Sequence, residues 1–317
     1  MDALPTINFI PDAEWIIASR SSRLAAIQTQ SVANNLYPHI NYKGFGKLAV
    51  KWVVSRGEQV MDCALKDIGD HGLFTKAVDQ EVINGTARLA VHSAKDMPTH
   101  LDKRLVIAAV PARQSAFDAF VSDRYSHIDQ LPSGAKIGTA SVRRSAQLKA
   151  LYPHLHIALV RGNVGTRLKK LHDGGYAALI LAEAGLKRLG LAASIQHTMA
   201  PQCFVPAGGQ GTLAVTARRD DHEAQSILQH LDDPLSRLSL TAERRIITAL
   251  DSGCQTPLGI NIHFRDDDVV LDMFTAEADL NQPRWLRFEG NKDDVMMLAD
   301  EAIKAVRSGA GSAVPLV

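Results

Sequence analysis

Residues 136–188 read KIGTASVRRSAQLKALYPHLHIALVRGNVGTRLKKLHDGGYAALILAEAGLKR. Three times an apolar run of strand length gives way to an amphipathic stretch. A strand over 136–139 leads into a helix from Ser141, one over 156–160 into a helix over 163–172, and one over 177–182 into a helix ending near Gly190. Parallel strands need a crossover, usually helical, to join them, so this alternation predicts α/β architecture with largely parallel sheets.

The same rhythm extends toward the N-terminus. It predicts a strand at 15–19, a helix at 21–36, a strand at 48–55, a loop over 57–72 and a helix from Leu73. Short strands follow at 89–92, 105–110 and 119–121. Beyond Gly211 the pattern predicts one more strand at 212–217 and two helices, at 221–231 and 234–250. The last 60 residues read as a small α+β unit with strands at 260–264, 269–274 and 285–288 and a helix over 293–307. The Gly, Ala and Ser-rich tail 308–317 reads as frayed.

The chain has 317 residues, 46% of them apolar and 22% charged. That length suggests two or three domains, and the apolar fraction excludes an extended disordered chain. Lys and Arg number 35 against 34 acids, which argues against bulk electrostatic capture of nucleic acid or an anionic membrane. The balance is uneven along the chain. Residues 143–188 carry nine Lys or Arg against two acids, and 265–300 carry four against ten. Cys63, Cys203 and Cys254 are scattered and odd in number, so no disulfide framework or paired-cysteine metal site is read. A reducing, cytoplasmic setting is expected. Pro5, Pro11, Asp12 and Glu14 break the N-terminal stretch, so no secretory signal is expected. No apolar run approaches the roughly 20 residues of a membrane helix.

Four clusters carry possible chemistry. His92-Ser93-Ala94-Lys95-Asp96-Met97-Pro98 closes a strand, and Asp96 there is suited to moving a proton or holding a developing cation. A solvated turn is the plainer reading of that cluster alone. In Gly138-Thr139-Ala140-Ser141-Val142-Arg143-Arg144 a strand ends in two hydroxyls, and Ser141 suits an N-cap. Arg143 and Arg144 then sit in a first helical turn, where the macrodipole disfavours cations, so an anion is expected nearby. Arg161-Gly162-Asn163-Val164-Gly165-Thr166-Arg167 repeats the layout, and its guanidiniums suit forked bonds to carboxylates. Its glycine spacing is neither a dinucleotide nor a P-loop fingerprint. Arg188 ends a short helix, where a cation is comfortable without any ligand. Several basic seams with few aromatics fit a small polycarboxylate better than a nucleic acid. In Ser252-Gly253-Cys254-Gln255-Thr256-Pro257 the thiol reads either as a nucleophile or as a small buried hydrophobe. The glycine-rich connector Pro206–Gly211 reads as a hinge or crossover, with Gln210 able to face a site.

These motifs, HSAKDMP, GTASVRR, RGNVGTRL, ILAEAGLKRLG, PAGGQG and SGCQTPLG, stand in the order found in porphobilinogen deaminases, also called hydroxymethylbilane synthases. SRSSRLAAIQ resembles that family's opening basic-serine motif, and GLFTK its active-site loop. The resemblance spans about residues 19–259. It implies two α/β lobes like those of type II periplasmic binding proteins plus a small C-terminal α+β domain. The implied boundaries are 1–111 with 212–230 for domain 1, 112–211 for domain 2 and 231–317 for domain 3.

The resemblance implies a transferase of tetrapyrrole and heme biosynthesis that joins four porphobilinogen molecules head to tail. It loses ammonia at each step and releases hydroxymethylbilane by hydrolysis. The implied cofactor is dipyrromethane, held by a thioether to Cys254. Asp96 is implied as the catalytic carboxylate. Arg20, Ser22, Lys95, Thr139, Ser141, Arg143, Arg144, Arg161, Arg167, Arg188 and Gln210 are implied to hold cofactor and substrate carboxylates, with His71 and Phe74 on the active-site loop. No metal, nucleic acid or membrane is implied, and a monomer is expected. The chain departs from the family pattern at Arg23, His71, Ala77, 115–117, Thr216 and Ser252. The alternative is a weakly active or non-catalytic paralogue that binds an anionic pyrrole-like molecule on the same scaffold. Asp96 and Cys254, which a simple binder does not need, favour the enzyme.

Overall fold

The computed structural model describes residues 15–42, 47–54, 75–252 and 256–315. The strands are β1 (Trp15–Arg20), β2 (Leu48–Val53), β3 (Leu89–Ser93), β4 (Leu105–Ala109), β5 (Asp118–Val121), β6 (Lys136–Thr139), β7 (His156–Leu159), β8 (Ala178–Ala182), β9 (His197–Thr198), β10 (Leu213–Arg218), β11 (Gly259–Arg265), β12 (Asp268–Thr275) and β13 (Arg284–Asn291). The helices are α1 (Arg23–Tyr42), α2 (Lys76–Ile83), α3 (Val142–Leu151), α4 (Val164–His172), α5 (Glu183–Arg188), α6 (His222–Leu228), α7 (Pro234–Ala249) and α8 (Val295–Arg307). The chain packs as two compact units, Met1–Arg113 with Thr212–Arg237, and Gln114–Gly211 with Leu238–Val317.

In the first unit the strand order is β2-β1-β3-β10-β4, and in the second β7-β6-β8-β5-β9. The two sheets share one plan. β1 runs parallel to β2 and β3, while β10 is antiparallel to β3 and β4. Likewise β6 runs parallel to β7 and β8, while β5 is antiparallel to β8 and β9. In each sheet, then, one strand opposes the other four. β5 and β10 are the strands on which the chain enters its unit from the other one, so no helical crossover within the sheet dictates their direction. Gly211 stands at the second of these passages, with φ +84°. A Cβ there would lie 2.5 Å from the carbonyl oxygens of Gln114 and Ser115, so only glycine fits.

The first sheet is covered on both faces. Trp15, Ile17, Leu89, Val91 and Val215 pack against Val32, Leu36 and Ile40 of α1 and Ile227 of α6. Ala18 and Ala90 face the other way, toward Val78 and Val82 of α2. Alternation in β1 and β3 is therefore between two buried faces, which explains their unbroken apolar runs. Helix α1 continues past the expected end at residue 36 and through Pro38. An interior proline costs about 3 kcal/mol, and burying Ile40 on the same stripe as Leu36 contributes about 1.5–3 kcal/mol, so the extension is close to balanced. Helix α2 starts at Lys76, three residues after the expected start.

In the second unit, β11, β12 and β13 form an antiparallel meander. Ile260, Ile262, Leu271 and Met273 pack on one face against Ile246 of α7 and Leu298 and Ile303 of α8. Phe274 and Trp285 pack with Ala146 and Val205. Glu243 of α7 is fully buried and accepts from Gly209 N (2.6 Å) and Ile262 N (3.1 Å), joining the glycine-rich connector to this sheet. The short strand β9 carries no alternation to detect, and the sequence reading omits it. No helix among the described residues is long and apolar enough to cross a membrane.

Candidate active site

Asp96 ends a single 3-10 turn, Ala94–Asp96, that follows β3 directly. Ala94 N donates to Thr212 O (3.0 Å), and Met97 N closes the turn on Ala94 O (3.2 Å). Pro98 then stops regular structure. The turn leaves Lys95 and Asp96 half-buried. Arg20 ends β1, and Ser22 begins the path into α1, where its Oγ accepts from Ala25 N (3.3 Å). Arg20, Ser22 and Asp96 line one cavity of about 50 Å³, together with Gln28, Thr75 and His92. The first unit thus brings together three residues that the sequence pattern implies.

It also supplies groups that the sequence reading did not assign. His92 Nε2 lies 2.9 Å from Asp79 Oδ1, and Thr216 Oγ1 lies 3.4 Å from both. All three side chains are buried. A carboxylate only accepts, so Nε2 carries the hydrogen in this pair. Gln28 Nε2 donates to Ser93 Oγ (2.9 Å). Strand parity held the missing signal. Leu89 and Val91 face one layer, so Ala90 and His92 face the other, where α2 brings Asp79 beside Val78.

In the second unit, Asp118 at the start of β5 is 0% exposed and lies between two guanidiniums. Arg143 NH2 is 2.8 Å from Oδ2, and Arg144 NH2 is 2.6 Å from Oδ1. Gln210 Nε2 donates to Oδ1 (2.9 Å) and to Ala116 O (2.6 Å). Arg143 also donates to Val205 O (2.6 Å), and Arg144 to Ile180 O (3.1 Å). Burial by itself would raise the Asp118 pKa, but the charges of Arg143 and Arg144 prevail and hold it well below the usual carboxylate range. The anion expected beside the first turn of α3 is supplied by the protein, and Arg143 and Arg144 are 4% and 6% exposed. Two cations against one carboxylate leave the trio with a net positive charge.

Ser141 caps α3, its Oγ accepting from Arg144 N (3.4 Å), and Thr139 Oγ1 accepts from Ser141 N (3.1 Å). Each hydroxyl keeps its own hydrogen to donate. Asn163 caps α4 by accepting from Thr166 N (2.8 Å). Before it, Gly162 has φ +110°, and a Cβ there would lie 2.7 Å from Thr166. This turn sets the backbone of Arg161 and Arg167. Arg167 Nε donates to Gly162 O (2.8 Å), and Arg188 NH2 to Gly211 O (2.8 Å). Neither guanidinium meets a carboxylate among the described residues. Burial, with the charge of Arg144 added, lowers the Arg167 pKa to about 10, and burial lowers Arg188 to about 10. A desolvated cation without a counter-ion is costly, and an anionic ligand relieves that cost. His71, Phe74 and Cys254 lie outside the described residues.

A family model described as porphobilinogen deaminase, dipyromethane cofactor binding domain, matches residues 15–226. A porphobilinogen deaminase of Chromobacterium violaceum is 43% identical over 267 residues, covering 83% of this chain and 84% of that protein. One of Roseiflexus sp. is 40% identical over 294 residues, covering 91% and 95%. One of Thiobacillus denitrificans is 40% identical over 281 residues, covering 88% and 90%. Among solved structures, a putative methionine-binding lipoprotein of Bacillus subtilis aligns with 72% of this chain and 93% of its own at 13% identity, with a TM-score of 0.45.

Proposed function

The chain belongs to the porphobilinogen deaminase family, and from that premise we propose that Asp96 is its catalytic carboxylate, Cys254 its cofactor anchor, and its arginine seams the holders of carboxylate arms. The reaction is that of a hydroxymethylbilane synthase. Four porphobilinogen molecules are joined head to tail with loss of ammonia at each step, and hydroxymethylbilane is released by hydrolysis. The protein is a transferase of tetrapyrrole biosynthesis, and its cofactor is dipyrromethane.

The observation that supports the assignment most is the pair Arg167 and Arg188. Both side chains are partly buried, donate to backbone carbonyls and lack a carboxylate among the described residues. A ligand bearing several acetate and propionate groups matches that demand. When bound, dipyrromethane supplies a covalent primer with carboxylate side chains. Arg161, Arg167 and Arg188 bind such carboxylates, with the hydroxyls of Thr139 and Ser141 as further donors. Arg143, Arg144 and Gln210 act through Asp118, which holds the two arginines of the first turn of α3 and leaves the group with surplus positive charge. In the first unit, Arg20, Ser22 and Lys95 take up carboxylates. Loss of ammonia from porphobilinogen leaves positive charge on the pyrrole, and Asp96 stabilises that charge and accepts the pyrrole proton. His71 and Phe74 belong to the active-site loop. We place the reaction in the cytoplasm, in keeping with the scattered cysteines.

Intact-protein mass spectrometry tests the anchor. The wild-type chain is expected to carry the added mass of two pyrrole units, and Cys254→Ser to lack it. Equal, unmodified masses for the two would remove Cys254 from this role.

A further inference from the structure

Thr75, the residue before α2, is 2% exposed, and its Oγ1 has no hydrogen-bond partner among the described residues. A buried hydroxyl without a partner costs free energy unless something binds it. Thr75 lines the same cavity as Arg20, Ser22 and Asp96. At about 50 Å³ this cavity has room for a group of a few heavy atoms. That is enough for a carboxylate.

The charges in the lining constrain the ligand further. Arg20 contributes a cation and Asp96 an anion, so the cavity is close to neutral before anything enters. An entering carboxylate therefore needs neutral donors besides the guanidinium. Ser22 already accepts from Ala25 N and keeps its hydroxyl hydrogen for a ligand. The amide nitrogen of Gln28 is directed to Ser93 Oγ. His92 is held by Asp79 through Nε2 and cannot turn freely. Thr75 joins Ser22 as a neutral donor whose hydrogen no group among the described residues takes.

We propose that Thr75 is a substrate-recognition residue whose hydroxyl donates to the carboxylate arm that a bound pyrrole places in this cavity. The inference rests on the assigned reaction and adds a contact to it.

The test compares wild type with Thr75→Val, which keeps the shape and removes the hydroxyl, and Thr75→Ser, which keeps the hydroxyl. KM for porphobilinogen is expected to rise about tenfold in Thr75→Val with kcat within twofold, and to return to within about twofold of wild type in Thr75→Ser. Two competitive inhibitors sharpen the reading: porphobilinogen analogues in which either the acetate or the propionate arm is replaced by methyl. One of the two is expected to bind wild type and Thr75→Val equally, because it lacks the arm that Thr75 contacts. Unchanged KM in Thr75→Val overturns the proposal, as does a loss confined to kcat, which would place Thr75 near the departing ammonia. Equal sensitivity of both analogues to the substitution overturns it as well. An inactive wild type would instead defeat the assigned reaction, so the two failures are distinguishable.

Discussion

Arg144 NH2 stands 2.6 Å from Asp118 Oδ1, inside the second unit and away from solvent. With Arg143 on the other carboxylate oxygen, this contact makes the arginine pair of α3 part of the protein's frame. A seam that reads in the sequence as ligand-facing is half internal. The cations still seeking a partner are further along, at Arg167 and Arg188.

Removing the carboxylate is expected to cost more than removing a ligand contact. Asp118→Asn leaves two buried guanidiniums uncompensated, a change that typically destabilises by about 3–5 kcal/mol. Urea unfolding of the two proteins measures it. A loss below about 1 kcal/mol would mean that the trio is hydrated in solution.

The same carboxylate shapes the acid limb of stability. Its folded pKa lies below the ordinary 3.8, so its contribution is full above that value and is lost as pH falls through the folded value. The stability gap between wild type and Asp118→Asn is therefore expected to hold from pH 7 to 5 and to narrow below pH 4. Unfolding curves across that range test the sign, and a gap that widens toward acid contradicts it.

Arg167 and Arg188 are expected to separate binding from stability. Arg167→Gln or Arg188→Gln should raise KM for porphobilinogen by about 10- to 100-fold, the range of one lost charge-assisted contact. The thermal midpoint should stay level or rise, because a partly buried cation without a counter-ion has been removed. Since burial lowers both groups to about 10, carboxylate binding is expected to weaken as pH rises through that value. A midpoint that falls together with affinity would assign them a structural role.

Asp96 sits on a short turn held by backbone bonds from Ala94 N to Thr212 O and from Met97 N to Ala94 O. Asp96→Ala is expected to keep the circular dichroism spectrum and thermal midpoint while lowering ammonia release from porphobilinogen at least 100-fold. Release within tenfold of wild type would take Asp96 out of the chemistry.

Gly162 carries a conformational demand that no other residue type meets well. Its φ of +110° and the 2.7 Å approach to Thr166 predict that Gly162→Ala strains the turn before α4. A loss of about 1–3 kcal/mol is expected, together with a raised KM, because the turn sets Arg161 and Arg167. Unfolding and steady-state kinetics on this variant check both, and normal KM with normal stability would show that the turn adapts.

The sequence alone determined the alternation of strands and helices, the cap at Ser141, and the ordered motifs that identify the family. Each of these is encoded locally, in period, turn chemistry or residue order. Only tertiary structure decided which polar groups face one another. Asp118 is separated from Arg144 by 26 positions, Asp79 from Thr216 by 137, and Gln28 from Ser93 by 65, and none of these pairs leaves a periodic trace. The direction of β5 and β10 was equally hidden, because it follows from where the chain re-enters a sheet. Local spacing records the conformation of a segment. Whether an arginine is neutralised within the protein or left for a ligand depends on what distant segments bring beside it in a low-dielectric interior.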